Sequence, residues 1–233
     1  MISEAMKELV ISEYIPVSLI DFPGNIASVV FTHGCNLRCR YCHNPELVNR
    51  EPGWNKIDEF FEGLRAKDIE GVAVSGGEPL FNREVIPFLE KLKSEGFKVK
   101  LDTNGSLPTR LSEVCSSGLV DFISIDLKAF NDEDLQYVTR TGYSLSDFEA
   151  SVGIVKEHGL AYEVRHTLWK VPDSEDVDNI MPKIDGSLIV QYPVKNGFWL
   201  DKRFKIELNG DDYKNIRELF KGYSVKYRND FEN

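Results

Sequence analysis

Along the chain, short runs of β-branched and other apolar residues alternate with longer stretches in which apolar residues recur every three to four positions. The first kind suits buried strands and the second amphipathic helices. Residues 26–31 form a strand of the first kind. The periodicity then predicts a helix over 56–67, a strand over 71–74, a helix over 83–95, a strand over 98–102 and a short helix over 109–116. A strand over 122–126 follows, with helices near 132–137 and 144–157, a strand over 162–168, a helix over 174–181, a strand over 188–192 and a last helix near 211–220. Residues 224–227 alternate like an edge strand. A turn at Asp21-Phe22-Pro23-Gly24 precedes the first strand, and residues 1–20 read as an N-terminal extension of one domain spanning 1–233.

Alternation of this kind implies parallel strands joined by right-handed helical crossovers. Six such units are present, whereas the standard closed barrel needs eight. The expected fold is therefore α/β, an incomplete (β/α)6 barrel, with an open doubly wound sheet as the alternative. At 233 residues the chain fits a single domain.

Each predicted strand runs into a polar or glycine-rich group. Cys35 to Cys42 follow the first, Ser75-Gly76-Gly77-Glu78-Pro79 the second, and Asp102-Thr103-Asn104-Gly105 the third. Asp126-Leu127-Lys128 ends the fourth, Arg165-His166-Thr167 the fifth, and Gln191-Tyr192-Pro193 the sixth. In a parallel α/β fold those carboxyl ends open onto the face where ligands bind, so all six groups are expected around one site.

Composition narrows the chemistry. Hydrophobic residues make up 42% and charged residues 28% of the chain, as in soluble globular proteins. A formal net charge of −10 argues against a nucleic-acid partner, because binding to phosphate backbones needs clustered Lys and Arg. No apolar run approaches the roughly 20 residues that span a bilayer, and the first residues lack a signal-peptide core, so no membrane partner is expected and the protein is expected in the cytoplasm.

Three of the four cysteines, Cys35, Cys39 and Cys42, fall within eight residues, too close for an ordinary disulfide framework. Three thiolates at this spacing can wrap one small inorganic object, either an iron–sulfur cluster or zinc. With three ligands a four-iron cluster keeps one iron open to another ligand. With His43 as a fourth, the same residues would make a closed structural zinc site. Cys115 reads as a packed helix residue.

The segment Gly34-Cys35-Asn36-Leu37-Arg38-Cys39-Arg40-Tyr41-Cys42-His43-Asn44-Pro45 resembles the cluster loop of radical S-adenosylmethionine enzymes, including the aromatic Tyr41 before the last cysteine. The Cys-His-Asn-Pro ending, with Asp21-Phe22-Pro23-Gly24, Asp102-Thr103-Asn104-Gly105 and Asp126-Leu127-Lys128, is similar to the subgroup that activates glycyl radical enzymes. Within it the compact chain resembles the activators of anaerobic ribonucleoside-triphosphate reductase. The resemblance implies a [4Fe–4S] cluster on Cys35, Cys39 and Cys42, S-adenosylmethionine as cofactor, and an incomplete barrel of the radical SAM type. It further implies reductive cleavage to methionine and a 5′-deoxyadenosyl radical, which takes a hydrogen atom from a glycine of the partner.

The same resemblance implies that Tyr41, Gly76, Gly77, Glu78, Asp102, Asn104, Asp126, Lys128 and Arg165 surround the S-adenosylmethionine. Gly76, Gly77 and Glu78 are expected at its amino group, since turn geometry does not call for a carboxylate at position 78. Lys128 is expected at its carboxylate. By resemblance to the activators of pyruvate formate-lyase, Asp102, Thr103 and Asp126 are expected to hold a monovalent cation. Those activators carry a histidine near the last strand end, where this chain has Gln191-Tyr192-Pro193-Val194. Arg165, within an apolar strand, requires a carboxylate partner, either the cofactor's or that of Glu78, because an unpaired buried charge is costly. His166 reads as structural. The implied partners are a glycyl radical enzyme, anaerobic ribonucleoside-triphosphate reductase foremost, and an external electron donor such as flavodoxin or ferredoxin. The competing readings are an activase of another glycyl radical enzyme or a radical enzyme acting on a small molecule, and, from a different class, a non-catalytic metal-binding or electron-transfer module.

Overall fold

The computed structural model describes residues 8–48, 53–65, 68–185, 188–193, 199–206 and 208–228. Among them, eight strands form one sheet in chain order: β1 (Ile11–Ser18), β2 (Ala27–Thr32), β3 (Gly71–Gly76), β4 (Lys98–Thr103), β5 (Phe122–Asp126), β6 (Ala161–Thr167), β7 (Leu188–Gln191) and β8 (Val225–Arg228). β1 is antiparallel to β2, and every later pair is parallel. The strand order never turns back, unlike that of a doubly wound sheet, which reverses at a switch point. Since β1 and β8 are its two ends, the sheet is an incomplete barrel.

The crossovers carry α1 (Ile57–Arg65), α2 (Val85–Ser94), α3 (Pro108–Ser116), α4 (Asp132–Thr139) with α5 (Leu145–Glu157), α6 (Ser174–Ile180) and α7 (Gly210–Leu219). Six strand–helix units from β2 to β7 match the expectation. The segment expected as an extension instead supplies β1. Its apolar Ile15 and Val17 are exposed on this outer strand, so it lacks the buried run that marks the other strands. Local signals set the helix ends; Ser144 and Asp147, for example, form a reciprocal capping box at the start of α5. Among the described residues no helix is long and apolar enough to cross a membrane.

Period-2 alternation divides the two faces of the central strands. Val72, Val74, Val99, Leu101, Ile123, Ile125 and Val164 are fully buried, in one core with Phe60, Phe61, Phe88, Leu89 and Leu92 of α1 and α2. Phe60, Phe61 and Phe88 meet edge-on or tilted at centroid distances of 5.3–6.0 Å. Losing one such ring costs about 3–5 kcal/mol. The opposite face is polar from β4 to β6. Asp102 lies in register with Ser124, Ser124 with Glu163, and Asp126 with Arg165, so these side chains share the inner face.

Candidate active site

β2 ends at Thr32, and Gly34 then turns the chain with φ +88°, a conformation that carries no Cβ penalty for glycine. The cysteine loop that follows is held by distant segments. The backbone N–H groups of Arg38 and Arg40 donate to Thr139 O (3.0 Å) and Val138 O (2.9 Å) at the end of α4. Those of Leu200 and Asp201 donate to Cys42 O and Arg40 O, both at 3.1 Å. Asn36 accepts from Asn104 Nδ2 at 3.0 Å and donates to Ser106 Oγ at 2.7 Å.

Gly76 and Gly77 close the remaining side. A Cβ on Gly76 would lie 2.3 Å from Thr32 N, and one on Gly77 would lie 2.0 Å from Gly34 O, so no other residue lets these backbones meet. Gly77 N–H donates to Thr32 O at 3.0 Å and Glu78 N–H to Gly34 O at 2.9 Å. The end of β3 is thereby fastened to the start of the cysteine loop.

Cys35, Cys39 and Cys42 line one cleft of about 860 Å³, open space at its mouth included, together with Tyr41, Gly76, Gly77, Glu78, Asp102, Thr103, Asn104, Asp126, Lys128 and Arg165. The predicted site residues from five strand ends therefore share one cavity. The sixth group does not line it. Tyr192 turns into the core, where its ring lies 4.8 Å from that of Tyr213 and 6.2 Å from that of Tyr227; Val194 lies outside the described residues. Cys115 is buried on α3 away from the cleft, and His166 faces the outer side, with Nδ1 2.8 Å from Leu127 O.

Burial pushes the Cys35 thiol up to about 12 and the Cys39 thiol up to about 11, and raises Cys42 as well. Left alone they stay protonated, so binding of a metal centre must release protons. Three soft sulfur donors around one cleft fit an iron–sulfur cluster. The zinc alternative fits less well. Among the described residues no three His, Cys, Asp or Glu side chains converge to hold a single metal ion, and the His43 ring packs edge-on to Trp199 at 6.4 Å.

Glu78 is fully buried, and its carboxylate accepts three hydrogen bonds: from Leu80 N (3.1 Å), Thr103 Oγ1 (2.9 Å) and Asn104 N (2.7 Å). Contrary to expectation, local geometry does account for a carboxylate here, since it caps the turn at 79–81 and holds the end of β4. Burial outweighs these donors and raises its pKa to about 7. Asn104 Oδ1 likewise accepts from Ser106 N at 2.9 Å, so that side chain shapes its own turn while lining the cleft.

An alternating chain of charges crosses the floor. Lys100 Nζ meets Asp102 Oδ1 at 2.5 Å, Arg165 meets Asp102 Oδ2 at 3.1 Å and Asp126 Oδ1 at 2.9 Å, and Lys128 Nζ meets Asp126 Oδ2 at 2.9 Å. Arg165 thus finds its carboxylates in Asp102 and Asp126. Burial alone would raise both acids, but Arg165 and the lysines outweigh it; Asp102 is held below the usual range and Asp126 at about 2. Lys128 is raised because Asp126 outweighs its desolvation. Lys100, Ser124 and Glu163 escape a reading confined to strand ends. Their signal is the same period-2 parity that places Asp102, Asp126 and Arg165 inward.

The chain is 31% identical over 224 residues to a protein of Methanocaldococcus jannaschii provisionally named a glycyl-radical enzyme activating enzyme, covering 93% of this chain and 92% of that one. It is 31% identical over 177 residues to the pyruvate formate-lyase-activating enzyme of Listeria monocytogenes, covering 69% of this chain and 70% of that protein. The fold matches Streptococcus suis SuiB bound to S-adenosylmethionine with a TM-score of 0.62 at 18% identity, over 83% of this chain and 47% of SuiB, so the chain spans less than half of that structure. The sequence profile of the Radical SAM superfamily matches residues 29–181. With that match over most of its length and its likeness to the activating enzymes, the chain belongs to the radical SAM superfamily, among the activases of glycyl radical enzymes.

Proposed function

We propose that this activase generates the glycyl radical of anaerobic ribonucleoside-triphosphate reductase, with a [4Fe–4S] cluster on Cys35, Cys39 and Cys42 and S-adenosylmethionine in the adjoining cleft. The observation that carries the reading is the meeting of three thiols with the polar ends of β3 to β6 in one cavity. When bound, cluster and cofactor together supply reductive cleavage of the sulfonium and the removal of a hydrogen atom from glycine.

The protein's own residues bind and orient. Gly76, Gly77 and Glu78 lie on the cluster-loop side, where the cofactor's amino group is expected. Lys128, just after β5, and Arg165, on β6, present cationic donors to its carboxylate. Tyr41, buried beside the cysteines, helps exclude water. No side chain is required to move a proton. Because the remaining cysteine, Cys115, is buried on α3, a second cluster has no ligands nearby, and the electron comes from an external donor such as flavodoxin or ferredoxin.

A second reading is favoured by the likeness to pyruvate formate-lyase-activating enzymes: activation of a different glycyl radical enzyme. The absence of histidine from Gln191-Tyr192-Pro193-Val194 separates the chain from the pyruvate formate-lyase activators. The two are separated by mixing the reconstituted, reduced protein with S-adenosylmethionine and the reductase of the same organism without oxygen. A glycyl doublet in the electron paramagnetic resonance spectrum together with 5′-deoxyadenosine supports the first reading. Cleavage without the doublet sinks the partner assignment and leaves the radical chemistry standing.

A further inference from the structure

Asp102, Thr103 and Asp126, the residues expected to hold a monovalent cation, do not fit one. All four carboxylate oxygens of Asp102 and Asp126 already carry an ammonium or guanidinium donor from Lys100, Arg165 or Lys128, at 2.5–3.1 Å. The Thr103 hydroxyl donates to Glu78 at 2.9 Å and accepts from Gly105 N at 3.3 Å. An added cation would meet three protein cations along this chain of charges.

Lys100 is the unexpected member. It lies on the inner face of β4, is 1% exposed, and among the described residues its ammonium pairs with Asp102. Its register neighbours on β3 and β5 are Ala73 and Phe122, so nothing in that row calls for a charge. An apolar residue would avoid the desolvation that a buried ammonium suffers. Position 100 thus carries a cost that packing does not explain, and its charge falls on Asp102 Oδ1.

We propose that Lys100 is an internal cation standing in for a bound alkali-metal ion, so that the cleft takes S-adenosylmethionine without sodium or potassium. The inference rests on the reading of the cleft as the cofactor site. It names a positioning residue: Lys100 neutralises Asp102 from below, which leaves Arg165 and Lys128 to face the ligand.

The test is calorimetric titration of the cluster-loaded protein with S-adenosylmethionine at constant ionic strength, with tetramethylammonium, sodium or potassium as the sole cation. The wild-type affinity should be the same in all three. Lys100→Ala, which removes the charge and leaves space beside Asp102, should bind about tenfold more weakly in tetramethylammonium and recover in potassium. Lys100→Met serves the same purpose if the alanine variant fails to fold, with the same loss expected in tetramethylammonium. A wild-type affinity that rises about tenfold on adding potassium overturns the proposal, as does a Lys100 variant that binds like wild type in tetramethylammonium. If the wild-type protein binds S-adenosylmethionine in none of the buffers, the cofactor-site reading fails and this inference falls with it.

Discussion

The backbone N–H of Asn104 donates to Oε2 of Glu78 at 2.7 Å, a bond that ties the end of β4 to the end of β3 inside the protein. Glu78 therefore supports the cleft before any ligand arrives. Glu78→Gln turns an amide donor toward one of three inward donors. The bare protein should lose about 1–3 kcal/mol, or several degrees in thermal midpoint for a chain of this size. Unchanged thermal stability would show that the three hydrogen bonds contribute little.

The raised pKa of Glu78 sets a pH dependence. Its folded value, about 7, lies above the ordinary 4.5, so the folded state holds the proton more tightly. The stability from this group is fully present below pH 4.5 and is lost as pH rises through 7. Thermal midpoints of the bare protein across that window should fall more steeply in wild type than in Glu78→Gln. Parallel slopes would remove Glu78 as the titrating group.

Gly77→Ala places a methyl group 2.0 Å from Gly34 O, a backbone atom that cannot yield without moving the cysteine loop. Overpacking of this kind costs about 1–3 kcal/mol. Because the strain falls on the loop that carries Cys35, iron and sulfide content after reconstitution should drop along with stability. Full cluster content in a destabilised variant would mean that the loop tolerates displacement.

Cys35→Ala, Cys39→Ala and Cys42→Ala should each abolish reductive cleavage of S-adenosylmethionine, whereas Cys115→Ala should retain full iron content. Cleavage surviving in any one of the first three excludes the assigned ligand set. A large loss of iron in the fourth would bring Cys115 into the site despite its place on α3.

Arg165→Ala leaves Asp102 and Asp126 facing each other with only Lys100 and Lys128 as counter-ions. Breaking a buried pair costs roughly 3–5 kcal/mol, and the lower end applies because Asp126 keeps some solvent access. Arg165→Lys should restore little of this, since one ammonium cannot serve two carboxylates with the fork of a guanidinium. Asp126, at about 2 against an ordinary 3.8, stabilises the wild type above pH 3.8 and ceases to do so as pH falls toward 2. Acid denaturation should therefore begin at higher pH in both variants; coincident acid transitions would argue against the bridge.

The sequence by itself determined the features encoded within a few neighbouring residues. Hydrophobic periodicity marked β2 to β8 and their helices, the cysteine spacing marked a soft-metal loop, and an arginine in an apolar strand announced that a carboxylate must face it. Only the tertiary structure decided which partners meet. Arg165 lies 63 residues from Asp102 and 39 from Asp126, and register between strands, not local pattern, brings them together. The fastening of Gly77 onto Gly34, the addition of β1 to the sheet and the inward turn of Tyr192 belong to the same class. The physical reason is that a one-residue shift in strand register moves every side chain to the opposite face, so the meeting of Arg165 with Asp102 and Asp126 is a property of the assembled sheet.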